Sequence, residues 1–195
     1  MYGDPDTRHT LSDDDGGEYN LAESSFENEP DAIYTYKSSE SYKINQALRN
    51  NSDLSDSDVK LIKRLDKQLE ETPTYEGVVY RNLSFDFQGQ EALDDFVAMH
   101  IPGEYITYPA YTSTSKSPDG YPIDAELAVH MKIYGINGHD ISENYGIKSE
   151  KEVLFGRNSS FYIVSVSYDG KTANIIMEED YEQGRVQSSN TWNIS

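Results

Sequence analysis

The chain has no cysteine, a single tryptophan, and only 16 lysines and arginines against 35 aspartates and glutamates in 195 residues. Each shortage excludes something. Without cysteine there is no disulfide, no thiolate nucleophile and no cysteine-based zinc site, and the redox compartment stays open. A formal charge of -19 repels the phosphates of nucleic acid and an anionic membrane surface, so neither is expected as a partner, whereas a basic protein is compatible with it. No apolar run approaches the roughly 20 residues needed to span a bilayer, and no signal-peptide pattern opens the chain. Export is therefore expected to use a carrier or another route without a classical signal. What the chain does have is 36% hydrophobic residues, including 16 tyrosines, enough to build the core of one domain.

Residues 1–30 are a separate zone, acidic from Asp4 to Glu29 with Arg8 as the only base and few large apolar side chains. Such a segment buries too little surface to offset its ordering entropy. It reads as a flexible acidic leader before a folded domain at 31–195.

From Ala32 the pattern becomes periodic. Ile44, Ala47 and Leu48 fall at helical spacing within Ser41–Asn50, and Asn50-Asn51 is a stop. A second helix is predicted to start near Ser55 to Ser57 and to carry Val59, Ile62, Leu65 and Leu69 on one stripe, ending at Thr72-Pro73. Tyr75–Leu83 reads as a strand in which Val78-Val79-Tyr80 runs directly into Arg81. An arginine at the end of a buried strand needs an anion, which one of the chain's own acids or a bound ligand can supply. Glu91–His100 is predicted helical, with Leu93, Phe96 and Val97 on one side. Glu104–Ser115 reads as one strand closing on Thr112-Ser113-Thr114-Ser115, hydroxyls that can hold a main chain in place or orient a neighbouring carboxylate. Phe161–Ser167 and Thr172–Met177 are predicted strands joined at an Asp169-Gly170 hairpin, and the polar ending from Glu178 is expected to fray. His130 and His139 lack zinc spacing, so no metal is expected. The fold class is α+β: N-terminal helices packed on an antiparallel-rich strand set that opens a cleft.

Ser149–Phe155, Ser-Glu-Lys-Glu-Val-Leu-Phe, holds two carboxylates two residues apart at the mouth of an apolar run. In a strand, Glu150 and Glu152 share a face roughly 7 Å apart, with Leu154 following them and Val153 and Phe155 on the other side. Alone, a Glu-x-Glu is most simply a solvated strand face; kept together in a cleft, the pair calls for a cation between them.

The order of these features carries a resemblance. A Tyr-x-Ile-Asn-x-x-Leu-Arg helix, a strand ending in Tyr-Arg, a strand ending in aromatic-Thr-Ser-Thr-Ser, and Glu-x-Glu-Val-Leu resemble the arginine-type mono-ADP-ribosyltransferases of bacterial toxins and phage enzymes. The likeness runs from Ile33 to Ser167. It implies a core of two packed sheets around an NAD cleft, with NAD as the substrate. It further implies that Arg81 holds the NAD phosphates, Ser113 positions Glu152, and Glu152 bonds the ribose 2′-hydroxyl and stabilises the oxocarbenium-like carbon. Glu150 would orient and deprotonate an acceptor arginine, its glutamate rather than glutamine favouring arginine as acceptor. Thr114 and Ser115 would lie beneath the nicotinamide ribose, with Asn82, Tyr42 and Tyr121 as further NAD contacts. Ser142–Lys148, with Tyr145, would be the target-recognition turn. The family usually adds an arginine near the phosphate between Lys116 and His130, which this chain lacks, leaving Arg81, Lys116 or main-chain amides to that task. The implied function is ADP-ribosylation of a protein arginine by a toxin or effector in a foreign cytoplasm, with an immunity partner in the producing cell. The other readings are an NAD glycohydrolase and a non-catalytic acidic module that binds a basic protein.

Overall fold

The computed structural model describes residues 31–120, 123–142 and 151–179. The leader, Tyr121, Tyr145, Glu150 and everything after Glu179 lie outside the described residues.

The domain opens with α1 (Ala32–Thr35), a π-helical turn (Tyr36–Glu40) and α2 (Ser41–Asn50) in direct succession. The first amides of α1 are satisfied from a distant helix, Gln68 Oε1 accepting from Ala32 N at 2.9 Å and Ile33 N at 3.2 Å. The π turn closes through the Ser41 amide, which donates to the Tyr36 carbonyl five residues back. α2 stops where predicted, with Asn51 left-handed at φ 49°, a conformation asparagine tolerates better than most side chains.

Helix α3 (Asp56–Glu70) starts on a reciprocal cap. The Ser55 hydroxyl accepts from the Asp58 amide and Asp58 Oδ2 accepts from the Ser55 amide, both at 3.2 Å, a device worth about 1 kcal/mol. Lys43 of α2 adds a 2.8 Å ion pair to the same Asp58. The buried stripe is Leu61, Ile62, Leu65 and Leu69. Val59, expected within it, is exposed instead, because at about 100° per residue it lies more than a quarter turn from the stripe's centre.

The strands are β1 (Thr74–Ser84), β2 (Tyr105–Tyr108), β3 (Thr112–Ser115), β4 (Ala128–Asp140), β5 (Glu152–Phe155), β6 (Ser159–Tyr168) and β7 (Thr172–Glu179), with α4 (Gln90–Ala98) after β1. They pair in the order β1-β3-β5-β4-β7-β6-β2, with an additional β1–β4 pairing. All ladders are antiparallel except β4–β7. The architecture is α+β, as expected, and its sheet portions are linked through β4. That strand of 13 residues lies against β1 and β7 for most of its length and gives His139 and Asp140 to β5. No helix among the described residues is long and apolar enough to cross a membrane.

Glu104–Ser115 is not one strand: β2 pairs with β6 at one edge, whereas β3 inserts between β1 and β5. The break falls at Pro109, which has no amide for a ladder and disrupts strand continuity. Nor does the chain fray at Glu178. β7 continues to Glu179, which is buried because its carboxylate accepts from the amides of Ile136 at 2.6 Å and Asn137 at 2.8 Å. Those amides lie on β4 just beyond its last pairing with β7, at Tyr134. The Asp169-Gly170 turn forms as predicted, Asp169 Oδ1 accepting from Lys171 N at 2.9 Å and Thr172 N at 2.7 Å.

Side chains collect in two cores with β5 as their shared wall. Val153 and Phe155 enter the sheet core beside Val79, Leu93, Met131 and Ile163. Leu154 points the other way, into the helix core with Ile33, Ile44, Leu65, Tyr111 and Ile141. β4 passes so near this wall that a Cβ on Gly138 would lie 2.6 Å from Val153 Cγ1 and 2.9 Å from Phe155 Cζ.

Just past α4, the buried His100 ring bonds the Phe96 carbonyl through Nδ1 at 2.7 Å and the Tyr108 hydroxyl through Nε2 at 2.5 Å. Burial holds its pKa below the usual 6.5, against the opposing pull of the Phe96 carbonyl. The unfolded chain therefore takes up this proton more readily, so the stabilisation is fully present above pH 6.5 and is lost as pH falls through the lower folded value. Between pH 7 and pH 5 the thermal midpoint of the native protein should fall more than that of His100→Gln, measured by circular dichroism. Equal falls in both would remove His100 as the cause.

Candidate active site

Strand register builds the site. Ser115 lies opposite Glu152 and Ser113 opposite Leu154, so Ser113 and Glu152 are diagonal neighbours on one face, within side-chain reach. The Ser113 hydroxyl donates to Glu152 Oε1 at 2.6 Å. Arg81, on β1, donates from Nη1 to the Ser113 carbonyl at 2.5 Å. Three adjacent strands thus deliver a guanidinium, a hydroxyl and a carboxylate to one point. The second oxygen, Oε2, is engaged by the ammonium of Lys37 from the π turn.

These groups lie in a cleft of about 360 Å³ whose other lining comes largely from the helical run: Tyr36, Ser41, Tyr42, Asn45 and Arg49, with Tyr111 from the loop before β3. Tyr42, Asn45 and Arg49 recur at helical spacing and so present one face. Asn45 ties helix to strand, its Nδ2 donating to the Tyr36 hydroxyl at 2.6 Å and its Oδ1 accepting from the Tyr111 amide at 3.2 Å. The Tyr36 and Tyr111 rings meet edge to face, centroids 5.2 Å apart. Burial pushes the Tyr36 phenol up to about 12, opposed by the Asn45 bond and reinforced by the nearby Glu152 charge; at neutral pH it keeps its proton. Tyr111 is anchored beneath by donating to Asp66 Oδ1 at 2.5 Å, and Asp66 also pairs with Arg157 at 2.5 Å. Among the lining residues, Lys37, Arg49 and Arg81 outnumber Glu152 as the acid, so a chain of charge -19 keeps a locally cationic cleft.

The model of the ADP-ribosyltransferase exoenzyme family matches residues 17–184. The chain belongs to this family. A putative NAD(+)-arginine ADP-ribosyltransferase, Mav of Mycobacterium avium (strain 104), is 31% identical over 172 residues, covering 87% of this chain and 20% of the relative. Tre1 of Pseudomonas putida (strain GB-1), an NAD(+)-protein-arginine ADP-ribosyltransferase, is 29% identical over 153 residues, covering 76% of this chain and 28% of the relative. The chain therefore spans only a fifth to just over a quarter of these relatives' length. Among solved structures, the ADP-ribosyltransferase Vis in complex with agmatine superposes with a TM-score of 0.61 at 21% identity, over 80% of this chain and 75% of that one; Vis comes from Vibrio splendidus. At that identity the likeness is one of fold.

Not every residue assigned from the resemblance to the ADP-ribosyltransferases lines the cleft. Asn82 alternates with Arg81 and so faces away, its Oδ1 2.8 Å from His130 Nδ1 and its Nδ2 donating to the Pro118 carbonyl at 3.3 Å. Thr114 is buried and donates to the Val153 carbonyl at 2.7 Å, and buried Ser115 accepts from the Ser117 amide at 3.0 Å. Both brace β3 from within. Lys116 pairs with Asp140 at 2.8 Å and is not among the lining residues. Tyr42 lines the cleft and is 73% exposed. Glu150, Tyr145 and Tyr121 lie outside the described residues. Lys151 has φ 48°, so extended geometry starts only at Glu152. Among the described residues no group of three or more His, Asp or Glu side chains could hold a metal ion.

The sequence pattern alone assigns no role to Lys37, Tyr36, Asn45, Arg49 or Tyr111, all of which line the cleft. For Asn45 and Arg49 the signal was present, in their spacing from Tyr42. For Lys37 it was not, since a π turn has no compositional mark and shifts the helix face by about one residue.

Ser113→Ala leaves the nearly buried Glu152 one donor short. Loss of such a bond costs about 1–3 kcal/mol, so the urea midpoint should fall by a corresponding amount with an unchanged slope. An unchanged midpoint would show that the hydroxyl does not stabilise the carboxylate.

Proposed function

We propose that this domain transfers ADP-ribose from NAD to an arginine side chain of a target protein and releases nicotinamide. The observation that supports it most is the chain of contacts Arg81 to the Ser113 carbonyl and Ser113 hydroxyl to Glu152 within one cleft. The names of the Mav and Tre1 relatives, both arginine-directed, support the acceptor. So does agmatine, itself a guanidinium compound, in the Vis structure.

The chemistry follows from the charges. NAD is an anion, and the guanidinium forks of Arg81 and Arg49 suit its two phosphates, since each can donate two parallel hydrogen bonds. When the bond between ribose C1′ and the nicotinamide nitrogen breaks, its electron pair leaves with nicotinamide and positive charge grows on the sugar. Glu152 accepts a hydrogen bond from the 2′-hydroxyl and its negative charge stabilises that carbon, the task carboxylates perform in glycosidases. Tyr42, exposed in the cleft, offers an aromatic face for the leaving ring. Arginine is a poor nucleophile because it stays protonated at neutral pH. Glu150, two residues from Glu152, is assigned to orient the acceptor guanidinium and take its proton as a nitrogen attacks C1′. Tyr145 is assigned to the recognition turn that meets the target. In biological terms this is a toxin or effector module acting in a target cell's cytoplasm, against which the producing cell holds an immunity protein.

Nicotinamide release from NAD, with and without agmatine as acceptor, tests both glutamates. Glu152→Gln should lower release by about 100-fold or more in either condition, the scale of losing one transition-state contact. Glu150→Gln should abolish agmatine labelling while much NAD hydrolysis persists. Parallel loss of both activities in Glu150→Gln would overturn its acceptor role, and no release by the native domain would favour a non-catalytic binding module.

A further inference from the structure

The Glu152 carboxylate is closed on both sides. Oε1 takes the Ser113 hydroxyl at 2.6 Å and Oε2 takes the Lys37 ammonium. The Glu152 side chain keeps only 5% exposure, and Lys37, which lies over it, keeps 16%. A carboxylate has room for several hydrogen bonds, but this one lies at the base of a cleft and Lys37 stands between it and the solvent side.

Lys37 is placed there by a specific feature of the backbone. It is the second residue of the π turn, whose extra residue is registered by the Ser41 amide bonding to the Tyr36 carbonyl. Its neighbour Tyr36 is tied to Asn45 and packs on the Tyr111 ring, so the start of the turn is anchored to α2 and to the loop before β3. Lysine suits a contact that must be made and released: its ammonium is a compact charge on a flexible stem, without the planar fork that lets an arginine bind a carboxylate at two points.

Resting on the function proposed above, we propose that Lys37 is a positioning residue that holds and covers Glu152 while the cleft is empty, and that the ribose 2′-hydroxyl of the incoming dinucleotide takes its place on Oε2. Binding of the nicotinamide ribose then carries the cost of separating the Lys37–Glu152 ion pair.

ADP and NAD separate this cost from phosphate binding, because ADP brings both phosphates without the nicotinamide ribose. Their dissociation constants would be measured by calorimetry for the native domain, Lys37→Ala and Lys37→Met, the last keeping most of the stem's volume. The expected result is NAD binding about three- to tenfold tighter in both variants, as for release from a partly buried ion pair, with ADP affinity changed less than twofold. Unchanged or weaker NAD binding would overturn the proposal, and a matching loss of ADP affinity would reassign Lys37 to the phosphates. Arg81→Ala serves as the independent check: if it weakens neither ligand, the NAD site itself is wrong whatever Lys37 does.

Discussion

A carboxylate taken almost wholly out of water is the constraint around which this domain is assembled. Removing such a group from solvent costs several kcal/mol unless donors replace the lost hydration, and Glu152 is 4% exposed. Its replacement donors come from two remote places in the chain, the π turn near residue 37 and the hydroxyl-rich strand near residue 113. Neither would meet β5 unless both cores were formed. The sheet core holds Val153 and Phe155 from one side and the helix core holds Leu154 from the other, which fixes where the carboxylate emerges. Folding and site assembly are in this sense the same event.

The cleft also resolves an electrostatic conflict. A molecule with 35 acidic and 16 basic residues presents a repulsive average field to a dinucleotide, yet Lys37, Arg49 and Arg81 are gathered along one opening. Two come from the helical run and one from β1, so the local field depends on helices and sheet being docked. Away from the cleft, Lys116 pairs with Asp140, Arg157 with Asp66 and Lys43 with Asp58.

Much of this could be read from the sequence, and the failures have physical reasons. The Ser55 cap, the Asn51 stop and the Asp169-Gly170 turn depend on local chemistry and were visible. The order of the motifs singles out Arg81, Ser113 and Glu152, and the register of β1, β3 and β5 brings the three side by side in one cleft. Propensity alone joined β2 to β3 across Pro109, since tyrosines and threonines on both sides favour extended chain; only the ladder partners reveal two strands at different places in the sheet. Glu179 was read as part of a polar tail because its partners, the Ile136 and Asn137 amides, are more than forty residues away. Thr114 and Ser115 share the composition of Ser113 but not its outlook, and composition cannot say which hydroxyl of a run faces a cleft.

The tight passage of β4 over β5 limits how this fold can diversify. With a methyl group barred at Gly138 by Val153 and Phe155, the strand behind the carboxylate has no slack to rearrange when the cleft in front is altered. New specificities would therefore have to arise in the helical rim and the connecting loops, with the back wall inherited unchanged.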